Sequence, residues 1–127
     1  MWFSSLASAI SGKTITSATL KLTRVNGIGK SGATTLSAYY TTKTSGSGSY
    51  SVSTAYGGAI GSIGNGETVT FNIPISIVQQ IANNGSGGIV LYSGESSTMS
   101  NRNYSTNYCK IYGYNSEYAP VLTVTYE

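Results

Sequence analysis

The sequence contains no histidine and no aspartate, and its 4 carboxylate side chains are all glutamates: Glu67, Glu95, Glu117 and Glu127. The commonest general base and the usual nucleophile triads are therefore excluded. Two glutamates about 5 to 10 Å apart could still serve a glycosidase. Glu67, however, follows Gly64-Asn65-Gly66 in a turn-like stretch where a carboxylate is ordinarily just solvated. The chain reads as non-enzymatic. Calcium and magnesium want clustered carboxylates, and zinc wants more ligands than one cysteine supplies, so neither a metal nor any other cofactor is expected.

Other scarcities narrow the field further. Cys109 is the single cysteine, which excludes an internal disulfide. Within Tyr108-Cys109-Lys110-Ile111-Tyr112 it reads as a buried small hydrophobe. Charged residues make up 9% of the chain, against about 25% in an average globular protein. Solubility then rests on Ser, Thr, Asn and Gly, a habit of secreted β-proteins, virion parts and adhesins. The 7 cations (Lys13, Lys21, Arg24, Lys30, Lys43, Arg102 and Lys110) are scattered, whereas a phosphate-binding surface releases several counterions from one cluster. Nucleic acid is not an expected partner, and Lys21, Arg24 and Lys30 read as a solvated face.

No stretch approaches the roughly 20 apolar residues of a membrane span, so no membrane insertion is expected. Met1-Trp2-Phe3 ahead of Ala7-Ser8-Ala9 imitates a signal peptide, but without a basic start or a long enough apolar core. Export or assembly is thus expected to be directed from elsewhere in a longer parent protein, of which this chain is the C-terminal part.

What is present is β pattern. A chain of 127 residues is one domain with one core. In residues 15–23, Ala18, Leu20 and Leu22 alternate with Ser17, Thr19 and Lys21, the period of a strand with one buried face. Residues 34–40 repeat the pattern with Leu36, Ala38 and Tyr40, and residues 67–73 with Val69, Phe71 and Ile73. Residues 89–92, 108–114 and 121–126 supply three more strands, the last pointing Leu122, Val124 and Tyr126 inward. Residues 76–82 break the rhythm. Ile77, Val78 and Ile81 fall at helical spacing, Ser76 can cap the start, and Asn83-Asn84-Gly85 can end the helix. Another helical turn is expected within residues 4–10.

The expected fold is an all-β, two-sheet antiparallel jelly-roll-like sandwich with one short helix. Its expected core is Leu20, Leu22, Leu36, Val69, Phe71, Ile73, Ile81, Leu91, Ile111, Leu122 and Val124, with Tyr40, Tyr92 and Tyr126 as core tyrosines.

Gly27-x-Gly29-x-x-Gly32 matches a dinucleotide fingerprint, but the chemistry needs a helix opening at the third glycine. A strand follows instead, so residues 26–33 read as a glycine-rich hairpin turn. Residues 43–66 and 93–107 read as long loops, where function usually sits. Of the 11 tyrosines, Tyr50 and Tyr56 fall in the first of these and Tyr104 and Tyr108 around the second. Residues 93–108 combine Ser, Asn and Tyr with one arginine, a mixture offering rigid aromatic area and adaptable hydrogen bonding. The candidate ligand-binding residues are Tyr104 as stacking platform, Glu95, Asn101, Arg102 and Asn103 as hydrogen-bonding partners, and Tyr108. Tyr50 and Tyr56 are the fallback.

Phe3-Ser4-Ser5-Leu6 followed by Ile15-Thr16-Ser17-Ala18-Thr19-Leu20-Lys21-Leu22 resembles the opening of DNRLRE-type jelly-roll modules. The close, Ser116-Glu117 and then Pro120-Val121-Leu122-Thr123-Val124-Thr125-Tyr126, is similar to that family's ending, and Val69-x-Phe71-x-Ile73 fits its middle. The family's further strands ahead of the opening and its tryptophan-rich middle are not in this sequence. Those modules resemble bacterial carbohydrate-binding modules. The Ser/Gly/Tyr-rich version looks like distal domains of phage and prophage tail fibres. The resemblance implies an extracellular or virion location, a homotrimer, and a bacterial host's cell-surface glycan as partner. Three readings stay open: a tail-fibre receptor-binding module, an accessory carbohydrate-binding module of a bacterial enzyme or adhesin, and a purely structural fibre cap or trimerisation domain.

Overall fold

A computed structural model describes residues 1–3, 5–43, 52–93 and 109–127, with the backbone alone for residues 52–54. In chain order the elements are α1 (Leu6–Ile10), β1 (Ile15–Thr23), β2 (Thr34–Thr41), β3 (Val52–Ile63), β4 (Thr68–Asn72), α2 (Ile75–Asn84), β5 (Gly88–Ser93) and β6 (Val121–Tyr126). The strands form two antiparallel three-stranded sheets, ordered β4-β1-β6 and β3-β2-β5. The sheets pack face to face as the expected all-β sandwich.

Each sheet is organised by a central strand whose alternation is clearest. In β1, Ala18, Leu20 and Leu22 are buried while Lys21 is exposed between them. Leu36, Ala38 and Tyr40 of β2 meet them from the other sheet, and Phe71, Ile73, Ile63 and Ile89 complete the layer. Val69, Leu91, Ile111, Leu122 and Val124 pack against this cluster as partly buried residues.

Helix α2 closes one end of the sandwich with Ile77, Val78, Ile81 and Ala82. It starts a residue earlier than expected and is capped by neither Ser76 nor any other side chain: Pro74 is its N-cap, its carbonyl accepting from Ile77 N–H at 3.1 Å. Gly85 ends it by donating its N–H to Ile81 O at 2.9 Å. Gln79 ties the helix to the start of β1. Its Oε1 accepts from Ile15 N–H at 2.9 Å and its Nε2 donates to Lys13 O at 3.0 Å. Tyr40 holds the other end, accepting from Asn84 Nδ2 and donating to Ser86 O, both at 3.2 Å. The short α1 lies against α2, with Gly12 N–H donating to Ala82 O at 3.3 Å.

Several sequence expectations fail. Residues 43–66 are not one loop, because β3 occupies twelve of them and places Tyr56 in a strand. There the Tyr56 ring meets Tyr40 edge-on, with centroids 6.4 Å apart. The strand was hidden by Gly57, Gly58 and Gly61, which carry no side chain to signal β pattern. A Cβ at Gly57, where φ is 150°, would lie 2.2 Å from Ala38 O and 2.6 Å from the Tyr39 ring. Tyr39 therefore lies directly on the β3 backbone, and it is buried on the face of β2 opposite the core, edge-on to Tyr92 at 5.9 Å. Tyr126, the last residue of β6, is 46% exposed rather than core, with Lys13 Nζ 5.9 Å from its ring centroid. Tyr92 is only half-buried.

Among the described residues 109–114, no full strand forms. Ile111 makes a single bridge to Arg24, flanked by Val25 N–H to Lys110 O at 2.8 Å and Tyr112 N–H to Thr23 O at 3.0 Å.

The largest departure is Arg24. It continues the inward row Ala18-Leu20-Leu22 and is 0% exposed, not part of a solvated cationic face. Residues 26–33 are no hairpin either, since they carry the chain from β1 in one sheet to β2 in the other. This connection wraps the guanidinium. Nη1 donates to Gly32 O at 2.8 Å and to Ile63 O at 3.1 Å, and Nη2 donates to Ile28 O at 3.5 Å and to Lys30 O. Gly27 and Gly29, with φ of 80° and 85°, turn the loop so that its carbonyls face inward. The glycine motif is thus a carbonyl cradle for a cation, the opposite polarity to an amide nest for phosphate.

Candidate functional site

The site residues expected from sequence, Glu95, Asn101, Arg102, Asn103, Tyr104 and Tyr108, lie outside the described residues, as does Tyr50. The described residues contain a different candidate. An open cleft of about 600 Å³ lies between the start of the chain (Met1, Trp2 and Phe3) and a stretch near its end (Ile111, Tyr112, Gly113, Tyr114 and Pro120).

Each wall is fixed by backbone geometry. Met1 exchanges two hydrogen bonds with Ile89 of β5: its amine donates to Ile89 O and its carbonyl accepts from Ile89 N–H, both at 2.9 Å. This is the reciprocal pairing of an antiparallel bridge, so the segment joins the β5 edge of the sheet. Gly88 makes room for it: a Cβ there would stand 2.6 Å from Met1 O and from Trp2 Cδ1 and Nε1. The indole is oriented by donating its N–H to Lys43 O at 2.8 Å.

The facing wall is built on β1. The Arg24–Ile111 bridge positions residues 110–112, and the buried guanidinium anchors the strand end from which that bridge is made. Tyr112 is steadied by Tyr118, ring centroids 5.1 Å apart at 48°. Tyr118 is carried by a tight turn in which Ala119 N–H donates to Ser116 O at 3.2 Å and Tyr118 N–H to Ser116 Oγ at 2.9 Å. Tyr114 stands at the rim and is 86% exposed.

The cleft is apolar and aromatic. Among the described residues, no lysine, arginine or glutamate side chain lines it. The hydroxyls of Tyr112, Tyr114 and Tyr118 take part in no hydrogen bond among the described residues. Cys109, two residues before Ile111, is half-buried, and burial pushes its thiol above the ordinary value while the nearby Arg24 guanidinium pulls the other way. Burial also lowers the Met1 amine. No group of three or more metal-binding side chains occurs among the described residues. Glu67 is engaged locally, its carboxylate accepting from Gly64 N–H. No helix among the described residues is long and apolar enough to cross a membrane.

Sequence reasoning missed this cleft because its walls lie more than a hundred residues apart. A signal did exist: Trp2 and Phe3 at one end of the chain and Tyr112, Tyr114 and Tyr118 near the other concentrate aromatics outside the alternating strand pattern. The loops favoured from sequence join the chain beside this place, since Lys43 binds Trp2 and Cys109 leads into Ile111.

No family model matches the chain, and no curated protein or solved structure does either.

Proposed function

We propose that this chain is a non-catalytic module that binds a cell-surface glycan of a bacterial host, within a phage tail fibre or other receptor-binding protein, outside a cell or in a virion. The observation that carries the reading is the cleft between Trp2 and Tyr112. It is concave and aromatic, no charged side chain among the described residues lines it, and the hydroxyls of Tyr112 and Tyr114 take part in no hydrogen bond among those residues. Binding sites for small ligands have this make-up, mostly apolar with a few polar groups to fix orientation. None of the described glutamates, Glu67, Glu117 and Glu127, lines it, so no acid or base among the described side chains is positioned on a bound ligand. The DNRLRE-type resemblance points the same way.

One aromatic–sugar contact is weak, and several copies acting together raise retention steeply. The proposal therefore includes a homotrimer, for which sedimentation of the intact chain gives a direct answer. The test of function is an array of bacterial surface glycans probed with the intact chain. Reproducible binding to a restricted set is expected, and a silent array together with no binding to host cells rejects the reading.

A further inference from the structure

Building on the glycan reading, we infer that the cleft selects uncharged pyranose units, stacking their C–H faces on its aromatic walls and turning away acidic sugars and peptides.

Charge comes first. An acidic sugar placed here would lose water from its carboxylate, and such a loss is offset only by a paired cation or strong donors. The described wall residues Met1, Trp2, Phe3, Ile111, Tyr112 and Tyr114 bring no cationic side chain, and the Met1 amine, whose charged form burial disfavours, donates to Ile89 O at 2.9 Å. Lys110, next to Ile111, is exposed and does not line the cleft. Arg24, behind the Ile111 wall, is fully buried with its terminal nitrogens spent on carbonyls. An uncharged ligand is the one this wall matches.

Donor geometry separates a sugar from a peptide. Extended proline-rich segments are held in aromatic grooves that also satisfy their backbone carbonyls. The indole N–H, the natural donor for that task, is committed to Lys43 O at 2.8 Å. Trp2 therefore offers the cleft carbon surface and little else. What remains polar among the described side chains of the wall is the pair of hydroxyls on Tyr112 and Tyr114, each able to donate and to accept. A pyranose presents the complement: a flat C–H face with hydroxyls at its rim.

Size and rigidity agree. A volume near 600 Å³ lies within the usual range of ligand sites. Tyr114 at the rim leaves its ring open to a further unit. Trp2 and Tyr112 are already oriented, by Lys43 O and by Tyr118, so little ordering is needed on binding.

Trp2 is the single tryptophan, so its fluorescence reports the cleft alone. The intact chain is titrated with a panel of neutral linear oligosaccharides, with uronic-acid oligosaccharides of equal length, and with a proline-rich peptide. Saturable change with a neutral sugar is expected, with affinity constant within about twofold as salt is raised. Tyr114→Ala is expected to weaken binding about tenfold, or roughly 1.4 kcal/mol, without changing the melting temperature. Tyr112→Phe keeps the ring and is expected to weaken binding less.

Tighter, salt-sensitive binding of the uronic acids overturns the inference, as does response to the peptide alone or no response to any neutral sugar. A positive glycan array with unmoved Trp2 emission and an unaffected Tyr114→Ala variant also overturns it, while leaving the glycan reading standing. A silent array with no Trp2 response rejects both.

Discussion

The Arg24 guanidinium donates to the Gly32 carbonyl at 2.8 Å across the loop that joins the two sheets, and no carboxylate among the described residues balances its charge. Nε has no partner, and the nearby buried Thr34 hydroxyl has none either. The charge is held by carbonyl dipoles of residues 28, 30, 32 and 63, so the loop and the end of β3 are shaped around it.

Arg24→Ala is accordingly expected to cost about 3 to 5 kcal/mol, because it leaves a cavity and orphans several carbonyls at once. Arg24→Lys is expected to recover only part of this, since an ammonium cannot span carbonyls arranged for a planar fork. Urea denaturation measures both. A loss below about 1 kcal/mol for the alanine variant would show that the cradle does not depend on the cation.

Gly57 and Gly58 provide a controlled comparison on β3. Their φ values are 150° and 156°, so both substitutions strain the backbone alike. Only at Gly57 does a Cβ meet neighbours, Ala38 O at 2.2 Å and the Tyr39 ring at 2.6 Å, whereas Gly58 has open space. Gly58→Ala is expected to cost about 1 to 2 kcal/mol from backbone strain. Gly57→Ala is expected to cost about 2 to 3 kcal/mol more, from overpacking against β2. Equal melting temperatures would show that Tyr39 moves aside freely.

Phe71 tests the core between the sheets. It is buried on β4, and its ring carbons lie 3.1 Å from where a Cβ of Gly61 would stand, so it fills the space that β3 leaves empty. Phe71→Ala is expected to cost about 3 to 5 kcal/mol, a large part of the stability of a domain this size. A change under about 1 kcal/mol in the denaturation midpoint analysis would mean that the sheets collapse onto the gap.

The fold was legible where side chains alternate and obscure where they are missing. β1, β2, β4 and β6 carry apolar residues at every second position, and that period alone places them. β3 carries glycines where the pattern should speak, because Tyr39 from the adjacent β2 and Phe71 from the facing sheet supply the bulk. Arg24 was readable in principle, standing two residues beyond Leu22 on the same face, but a cation outside a salt bridge is ordinarily read as solvated. The favoured loop residues Glu95, Asn101, Arg102, Asn103, Tyr104 and Tyr108 lie outside the described residues, so the cleft stands beside that expectation. Its walls, paired through Met1–Ile89 and Arg24–Ile111, are products of tertiary pairing that no local pattern announces.

Cys109 links the cradle to the cleft and gives a pH-dependent readout. Burial raises its thiol above the ordinary value of 9.0, with the Arg24 field opposing. A raised acid holds its proton more firmly in the fold than in the unfolded chain, so it contributes stability that is fully present below pH 9.0 and lost as pH rises through the folded value. The thiolate is the reactive form. Alkylation of the native chain is therefore expected to be slow near neutral pH, and its rate is expected to reach half-maximum at a pH above 9.0. Unfolding in urea should restore ordinary reactivity. In an Arg24→Met variant that still folds, the opposing positive field is gone, and the half-maximum should move higher still. Alkylation rates measured across alkaline pH for the two proteins decide the matter. A native half-maximum at or below the urea value contradicts the burial argument, and no upward shift in Arg24→Met removes Arg24 from the environment of the thiol.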